Sequence, residues 1–389
     1  MKKALLFITS LMLSFASYAD GLLRTSDLKQ YCAQEGVNRQ TIVYLDQSII
    51  SKTDPNWYKD ILNKTHFLPG ERVQVVTIND GGSTVELVWD TCFPSYTKAV
   101  YKQKKAQEGM AVVFTGGVDD QLKNDQKIFN QRIKQALAHP LAGSRHETAP
   151  HFEASNFPNK KLVEAFYYDA NRTRIDNGIA RVIVFSDMIE KSDLVNHSSF
   201  NALEAATSAA ERFPVFFNHA SFFVYGINYS NNETKLNESM EKFWRNFMIY
   251  SGAEIAHYGT QLVLPSDNQL FTAKSYKGKL TQSNGKELAT QMRLAYTPEG
   301  ELKYSWLAIG DKYMTLKGTI SCSGKNCKVD AQIKESSFDG FKARDALLLN
   351  GDMSSLSGTL GARDDSVIDE TGKVYRFNVS YTQEARLGM

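Results

Sequence analysis

The first half of the chain alternates short apolar runs with longer amphipathic stretches. Runs rich in Val, Ile, Phe and Thr at 41–46, 73–79, 84–90, 181–186 and 221–227 predict strands, and 258–264 predicts one more. The later runs are almost continuously apolar, which fits interior strands covered on both faces. Helices are predicted at 54–62, 118–138, 160–170, 199–212 and 236–253. Pro55 suits the first turn of the first of these. The helix at 118–138 lines up Leu122, Ile128, Phe129, Ile133 and Ala136. The last helix carries Met240, Phe243, Trp244, Phe247, Met248 and Tyr250, a stripe that faces a core. Asp80-Gly81-Gly82-Ser83 reads as a hairpin turn between 73–79 and 84–90. The expected fold is a doubly wound α/β domain with a mostly parallel sheet and one antiparallel edge strand. Its elements span 35–265, within a unit taken as 20–265.

The pattern changes after Pro265. Strand-like segments follow at 269–280, 287–297, 302–309, 313–320, 327–334, 345–350, 355–360 and 373–381, separated by Gly, Asn, Asp and Ser turns. Residues 266–389 are therefore expected to form an antiparallel β sandwich or small barrel. Leu316-Lys317-Gly318-Thr319-Ile320 and Leu356-Ser357-Gly358-Thr359-Leu360 echo one another. Alternating strands produce such echoes without an internal repeat.

Composition adds a compartment. Met1-Lys2-Lys3 leads into an apolar run at 4–15 and then Ala16-Ser17-Tyr18-Ala19, the pattern of a signal peptide cut after Ala19. The run is short for a membrane span, and no later segment is apolar enough to make one. Removing 1–19 lowers Lys+Arg from 45 to 43, which equals Asp+Glu at 43. A neutral mature chain without a basic patch argues against nucleic-acid binding. Lys102, Lys104 and Lys105 read as solvated surface. Four cysteines in an exported chain suggest two disulfides. Cys322 and Cys327 flank a Ser-Gly-Lys-Asn turn and are expected to pair. Cys32 and Cys92 remain for the second bridge, although three pairings are formally open. The Asn-x-Ser/Thr positions Asn63, Asn171, Asn196, Asn228, Asn232, Asn237 and Asn378 would accept glycans only in a eukaryotic pathway, and the Met-Lys-Lys leader leans bacterial.

Candidate chemistry centres on Thr41-Ile42-Val43-Tyr44-Leu45-Asp46-Gln47-Ser48, an apolar strand ending in an acid with a serine two positions on. The carboxyl ends of strands in open α/β sheets are where ligands bind. A second acid follows the later strand, in Phe185-Ser186-Asp187. This order of elements, with Asp46-Gln47-Ser48-Ile49-Ile50 after the first strand and Ser186-Asp187-Met188 after the fourth, resembles a von Willebrand factor A domain. The resemblance implies a metal-ion-dependent adhesion site, in which Asp46, Ser48, Asp187 and a loop threonine, Thr148, would hold Mg²⁺ or Mn²⁺ through oxygen ligands. Ser144 and Ser155 compete for the Thr148 role. Ile50 stands where the family has a second serine, and this removes one hydroxyl. The same topology implies that a Cys32–Cys92 bridge lies at the bottom of the sheet, away from Asp46. Without metal, Asp46 and Asp187 would cap helices or organise turns.

Other patterns carry less. His146-Glu147-Thr148-Ala149-Pro150-His151 has one residue too many for a His-Glu-x-x-His zinc helix, and Pro150 breaks that helix. Thr115-Gly116-Gly117 after the apolar run 111–114 lacks a Walker lysine and reads as a turn into the long helix. No Gly-x-Ser-x-Gly elbow occurs, and no base–nucleophile pair stands out. The leading expectation is an exported protein-interaction or assembly module of the bacterial cell envelope. It would sit in the periplasm, with an extracellular position as the alternative, and bind an envelope protein through the top of its sheet. The alternatives are a metal-assisted hydrolase using Asp46 and Asp187, and a structural subunit of an envelope or secretion assembly that self-associates through its β domain.

Overall fold

The computed structural model describes residues 28–32, 34, 39–50, 56–79, 83–109, 116–143, 160–173, 179–195, 201–228, 234–266, 272–282, 284–310, 312–336, 345–363 and 376–383. The expected leader at 1–19, Pro55, the expected hairpin turn Asp80-Gly81-Gly82 and the run 111–114 lie outside the described residues, as do Asn196 and Asn232.

Among the described residues, six strands form one sheet: β1 (Arg39–Asp46), β2 (Arg72–Ile78), β3 (Val85–Cys92), β4 (Ile179–Phe185), β5 (Ser221–Tyr225) and β6 (Glu254–Gly259). Their order is β3-β2-β1-β4-β5-β6. Every pairing is parallel except β2 with β3, which is antiparallel at the edge. Every residue of β1, β4 and β5 is buried, because both faces are covered. Side-chain alternation then divides the core in two. Ile42, Tyr44, Val182, Val184, Phe222 and Val224 face α4 (Leu162–Asp169), α5 (Ala202–Arg212) and α6 (Thr234–Tyr250). Val43, Leu45, Ile183, Phe185, Phe223 and Tyr225 face α1 (Asn56–Lys64) and α3 (Val118–Gly143). The predicted stripe of α6 is buried except at its end: Met240, Phe243, Trp244, Phe247 and Met248 are all at 0% exposure, while Tyr250 is half-buried.

Two elements differ from expectation. The last strand of the sheet occupies Glu254–Gly259 rather than 258–264. It is an edge strand with only Ile255 fully buried, so Glu254 and His257 disguised it and the apolar Leu262 and Leu264 drew the reading forward. Lys98–Ala106 forms a further helix, α2, which no hydrophobic pattern predicts. None of its residues is buried, so it has no apolar stripe to read.

The eight remaining strands are β7 (Thr272–Thr281), β8 (Glu287–Tyr296), β9 (Glu301–Ile309), β10 (Lys312–Ser323), β11 (Asn326–Ser336), β12 (Ala346–Asp352), β13 (Ser355–Gly361) and β14 (Arg376–Gln383). Each pairs antiparallel with its successor, and β14 pairs with β7, which closes an up-and-down barrel. An eight-stranded barrel has an interior that side chains can fill. Tyr276, Leu280, Met292, Leu307, Met314, Leu349, Leu356 and Tyr381 belong to that packed core. The local echo now has a physical basis. Leu316 and Ile320, like Leu356 and Leu360, point into the barrel. Between them, a Cβ on Gly318 or Gly358 would collide with the carbonyl oxygen of Asp330 or Leu348 on the neighbouring strand. Both disulfides form, Cys32–Cys92 and Cys322–Cys327, the latter across directly paired positions of the β10–β11 hairpin.

The barrel meets the sheet at the amino ends of its parallel strands. Ile179 at the start of β4 packs with Leu68 and the barrel residue Ala295. His219, just before β5, stacks on Trp306 and Tyr313 with ring centroids 3.2 and 4.6 Å away. Burial, aided by the charge of Arg293, holds the His219 imidazole well below its ordinary pKa. Glu254 at the start of β6 pairs with Lys334 at 3.3 Å. Cys92 lies opposite Arg72, the first residue of β2, so the Cys32–Cys92 bridge is also at this end. Asp46 is at the other. No helix among the described residues is long and apolar enough to cross a membrane.

Candidate functional site

The strand order reverses direction at β1: the chain passes from β1 to β2 on one side and later returns to β4 on the other. A crevice at the carboxyl ends of β1 and β4 is the topological switch point of such a sheet. Asp46 is the last residue of β1, and Ser186-Asp187 directly follows β4. Parallel pairing of Leu45 with Phe185 brings Asp46 level with Ser186, and Asp187 comes one residue later. Asp46, Ser186 and Asp187 are at 1%, 0% and 5% exposure, so these carboxylates are core groups that need partners.

The partners are local and specific. Asp46 Oδ1 accepts from the Ser48 backbone N–H at 3.0 Å and from its hydroxyl at 2.6 Å, which caps the short 3₁₀ turn Gln47–Ile49. Asp46 Oδ2 accepts from the Ser186 hydroxyl at 2.6 Å. Ser186 Oγ in turn accepts from Met188 N at 3.0 Å, and Asp187 Oδ1 accepts from Ile189 N at 3.0 Å. Met188 holds a left-handed backbone, φ 56°, and its carbonyl is fixed by the Trp244 indole N–H at 2.7 Å. The loop after β4 is thus locked in a conformation unusual for a residue with a side chain.

The cation at this site belongs to the chain itself. Lys160, just before α4, places its ammonium 2.5 Å from Asp46 Oδ2 and 2.5 Å from Asp187 Oδ1. The lysine is at 3% exposure. Burial pulls its pKa down, but the charges of Asp187 and Asp46 outweigh that and leave it raised, so it is protonated.

Of the four residues expected to hold a metal, Asp46, Ser48 and Asp187 converge. Thr148 lies outside the described residues, as do Ser144, Ser155 and the His146–His151 motif. The arrangement does not fit Mg²⁺ or Mn²⁺ as it stands. The Lys160 nitrogen sits between the two carboxylates, where a bridging ion would have to be. The Ser48 and Ser186 hydroxyls donate to Asp46. Ile50, fully buried, offers no oxygen. No group of three His, Cys, Asp or Glu among the described residues is placed to hold a metal.

Lys160 and Ser186 are not evident as site residues from the sequence. One signal for Lys160 was present: Lys160-Lys161 precedes an apolar helix, where the helix dipole disfavours cations. A lysine there needs a compensating acid. The cap of α4 is also supplied from afar, since Lys161 makes no side-chain cap and Glu190 Oε2 accepts from Val163 N at 3.0 Å.

Glu190 gives the site a pH signature. Burial raises its carboxyl pKa to about 7, against hydrogen bonds from Ser192, Val163 and Leu162 that lower it. An acid with a raised folded-state pKa binds more protons folded than unfolded, so its share of stability is full below its unfolded pKa and is lost as pH rises through about 7. The loss amounts to about 3 kcal/mol. Glu190→Gln keeps the acceptor and removes the titration. Urea unfolding from pH 4.5 to 8 is expected to show the variant gaining on the parent chain as pH rises. A constant difference between the two would refute the assignment.

Compared with known proteins, the chain matches no family model and no curated sequence.

Proposed function

We propose that this chain is an exported protein-interaction or assembly module of the bacterial cell envelope, built on a von Willebrand factor A-like sheet, which binds a partner through the top of that sheet. The observation that carries the reading is the position of Asp46-Ser48 and Ser186-Asp187. They are buried, fully ordered by hydrogen bonds and set at the switch point where open α/β sheets bind ligands. The strand order, with its single antiparallel edge, supports the family resemblance. The barrel contacts described above are at the amino ends of the strands, so the barrel acts as a base rather than a cover. Two disulfides and the leader pattern support an oxidising compartment, and we place the chain in the periplasm.

Two exposed positions follow β4 in the chain: Asp193 in the loop, with its side chain 67% exposed and paired with Arg212, and Leu203 in the first turn of α5, 50% exposed. A photo-crosslinking residue placed at Asp193 or Leu203 in cells is expected to give a discrete adduct with an envelope protein. The same residue at Lys325, on the exposed β10–β11 turn, is expected to give none. Adducts from Lys325 alone would move the binding surface to the barrel. No adduct from any position would remove the interaction reading.

A further inference from the structure

We propose that Lys160 is the resident cation of this site, a tethered ammonium that organises the top of the sheet in place of a divalent ion. The inference goes beyond partner binding and does not depend on it. Two buried carboxylates at neighbouring strand ends repel one another unless a cation lies between them. A buried lysine is likewise untenable unless paired. Lys160, Asp46 and Asp187 satisfy both requirements at once, with 2.5 Å contacts to each acid. The lysine is also fixed through its backbone, since its carbonyl accepts from Lys191 N at 2.6 Å in the loop that follows Asp187. The side chain is therefore delivered by the same loop pairing that positions the acids. The remaining polar groups already serve the carboxylates: Ser48 and Ser186 donate to Asp46, and the Ile189 N–H donates to Asp187. The buried Ile50 adds no side-chain oxygen. The top of the sheet accordingly keeps one arrangement whatever the divalent-ion concentration outside the cell membrane.

The test is thermal unfolding of the full mature chain, of Lys160→Ala and of Lys160→Ala/Asp46→Asn/Asp187→Asn, each with EDTA and with about 5 mM MnCl₂. The parent chain is expected to melt at the same temperature in both buffers. Lys160→Ala is expected to melt lower in EDTA and to regain about 5 °C in Mn²⁺, because the freed acids now need an external cation. The triple variant, with no paired acids, is expected to ignore Mn²⁺. If Lys160→Ala does not fold in EDTA, its refolding yield is measured with and without Mn²⁺, and recovery in Mn²⁺ alone supports the proposal. Two results overturn it. One is Mn²⁺ stabilisation of the parent chain that Asp46→Asn abolishes. The other is a Lys160→Ala chain that Mn²⁺ neither stabilises nor helps to refold.

Discussion

Glu71→Ala is expected to cost about 3–5 kcal/mol, the range for breaking a buried ion pair from one side. Glu71 is fully buried at the amino end of the sheet, beside Arg39 at 3% and Arg181 at 1% exposure. Its Oε2 accepts from Arg39 Nε at 3.0 Å, from Arg39 Nη2 at 2.8 Å and from Leu68 N at 2.7 Å. Its Oε1 accepts from Arg181 Nη2 at 3.1 Å and from the Thr41 hydroxyl. Both guanidiniums also donate to the His66 carbonyl, at 2.8 and 3.0 Å. One carboxylate therefore ties together β1, the turn before β2, and β4. Removing it leaves two guanidiniums, which cannot lose their charge, in a low-dielectric core. The effect extends to the barrel, because Leu68 packs against Ile179 and Ala295. The measurement is the urea midpoint of Glu71→Ala beside Glu71→Ala/Arg39→Met/Arg181→Met. The triple variant should recover much of the loss, since apolar groups of similar size replace buried ion pairs at little cost. A single-variant loss below about 1 kcal/mol, the level of an exposed pair, would mean that the cluster is not buried as described.

This cluster and the Lys160 site mark where the sequence stopped being legible. The barrel strands could be read because half-buried strands alternate and each ends in turn residues. β1, β4 and β5 could be read because strands covered on both faces are continuous apolar runs. Asp46 and Asp187 could be read because each ends such a run. Lys160 could not be paired with Asp187 from sequence, because the two are 27 residues apart and no period links a loop to a strand end. Arg39, Glu71 and Arg181 are hidden for a related reason. Charged residues are almost never fully buried, so without a structure each reads as surface. The α2 helix was illegible in the opposite sense, having no buried residue to impose a period. What the pattern transmits is burial by apolar side chains. What it conceals is burial by charge, and in this chain charge organises both ends of the sheet.

The two disulfides are expected to differ in worth by their loop lengths. Cys32 and Cys92 are 60 residues apart, and Cys322 and Cys327 are 5 apart. Loop-closure entropy removed from the unfolded chain gives about 4 kcal/mol for the first and about 2 kcal/mol for the second. The long bridge also anchors structure that little else connects. It fixes the segment before β1 to the end of β3, where Leu28 and Tyr31 enter the core. The Tyr31 hydroxyl then reaches Asp125 on α3 at 2.6 Å, while Gln34 donates to Ser95 O at 2.6 Å and accepts from Thr97 N at 2.9 Å. These bonds depend on a lead that the unfolded chain would otherwise leave free. The Cys322–Cys327 bridge joins residues already paired across a tight hairpin inside a closed barrel, so the chain loses little by opening it. Urea unfolding of Cys32→Ser/Cys92→Ser and of Cys322→Ser/Cys327→Ser should therefore show the larger midpoint shift in the first. It should also be the first that gains protease sensitivity ahead of β1. An equal or larger loss from the hairpin pair would mean that the barrel needs its bridge to close, and that local strand pairing between β10 and β11 is weaker than ten paired positions suggest.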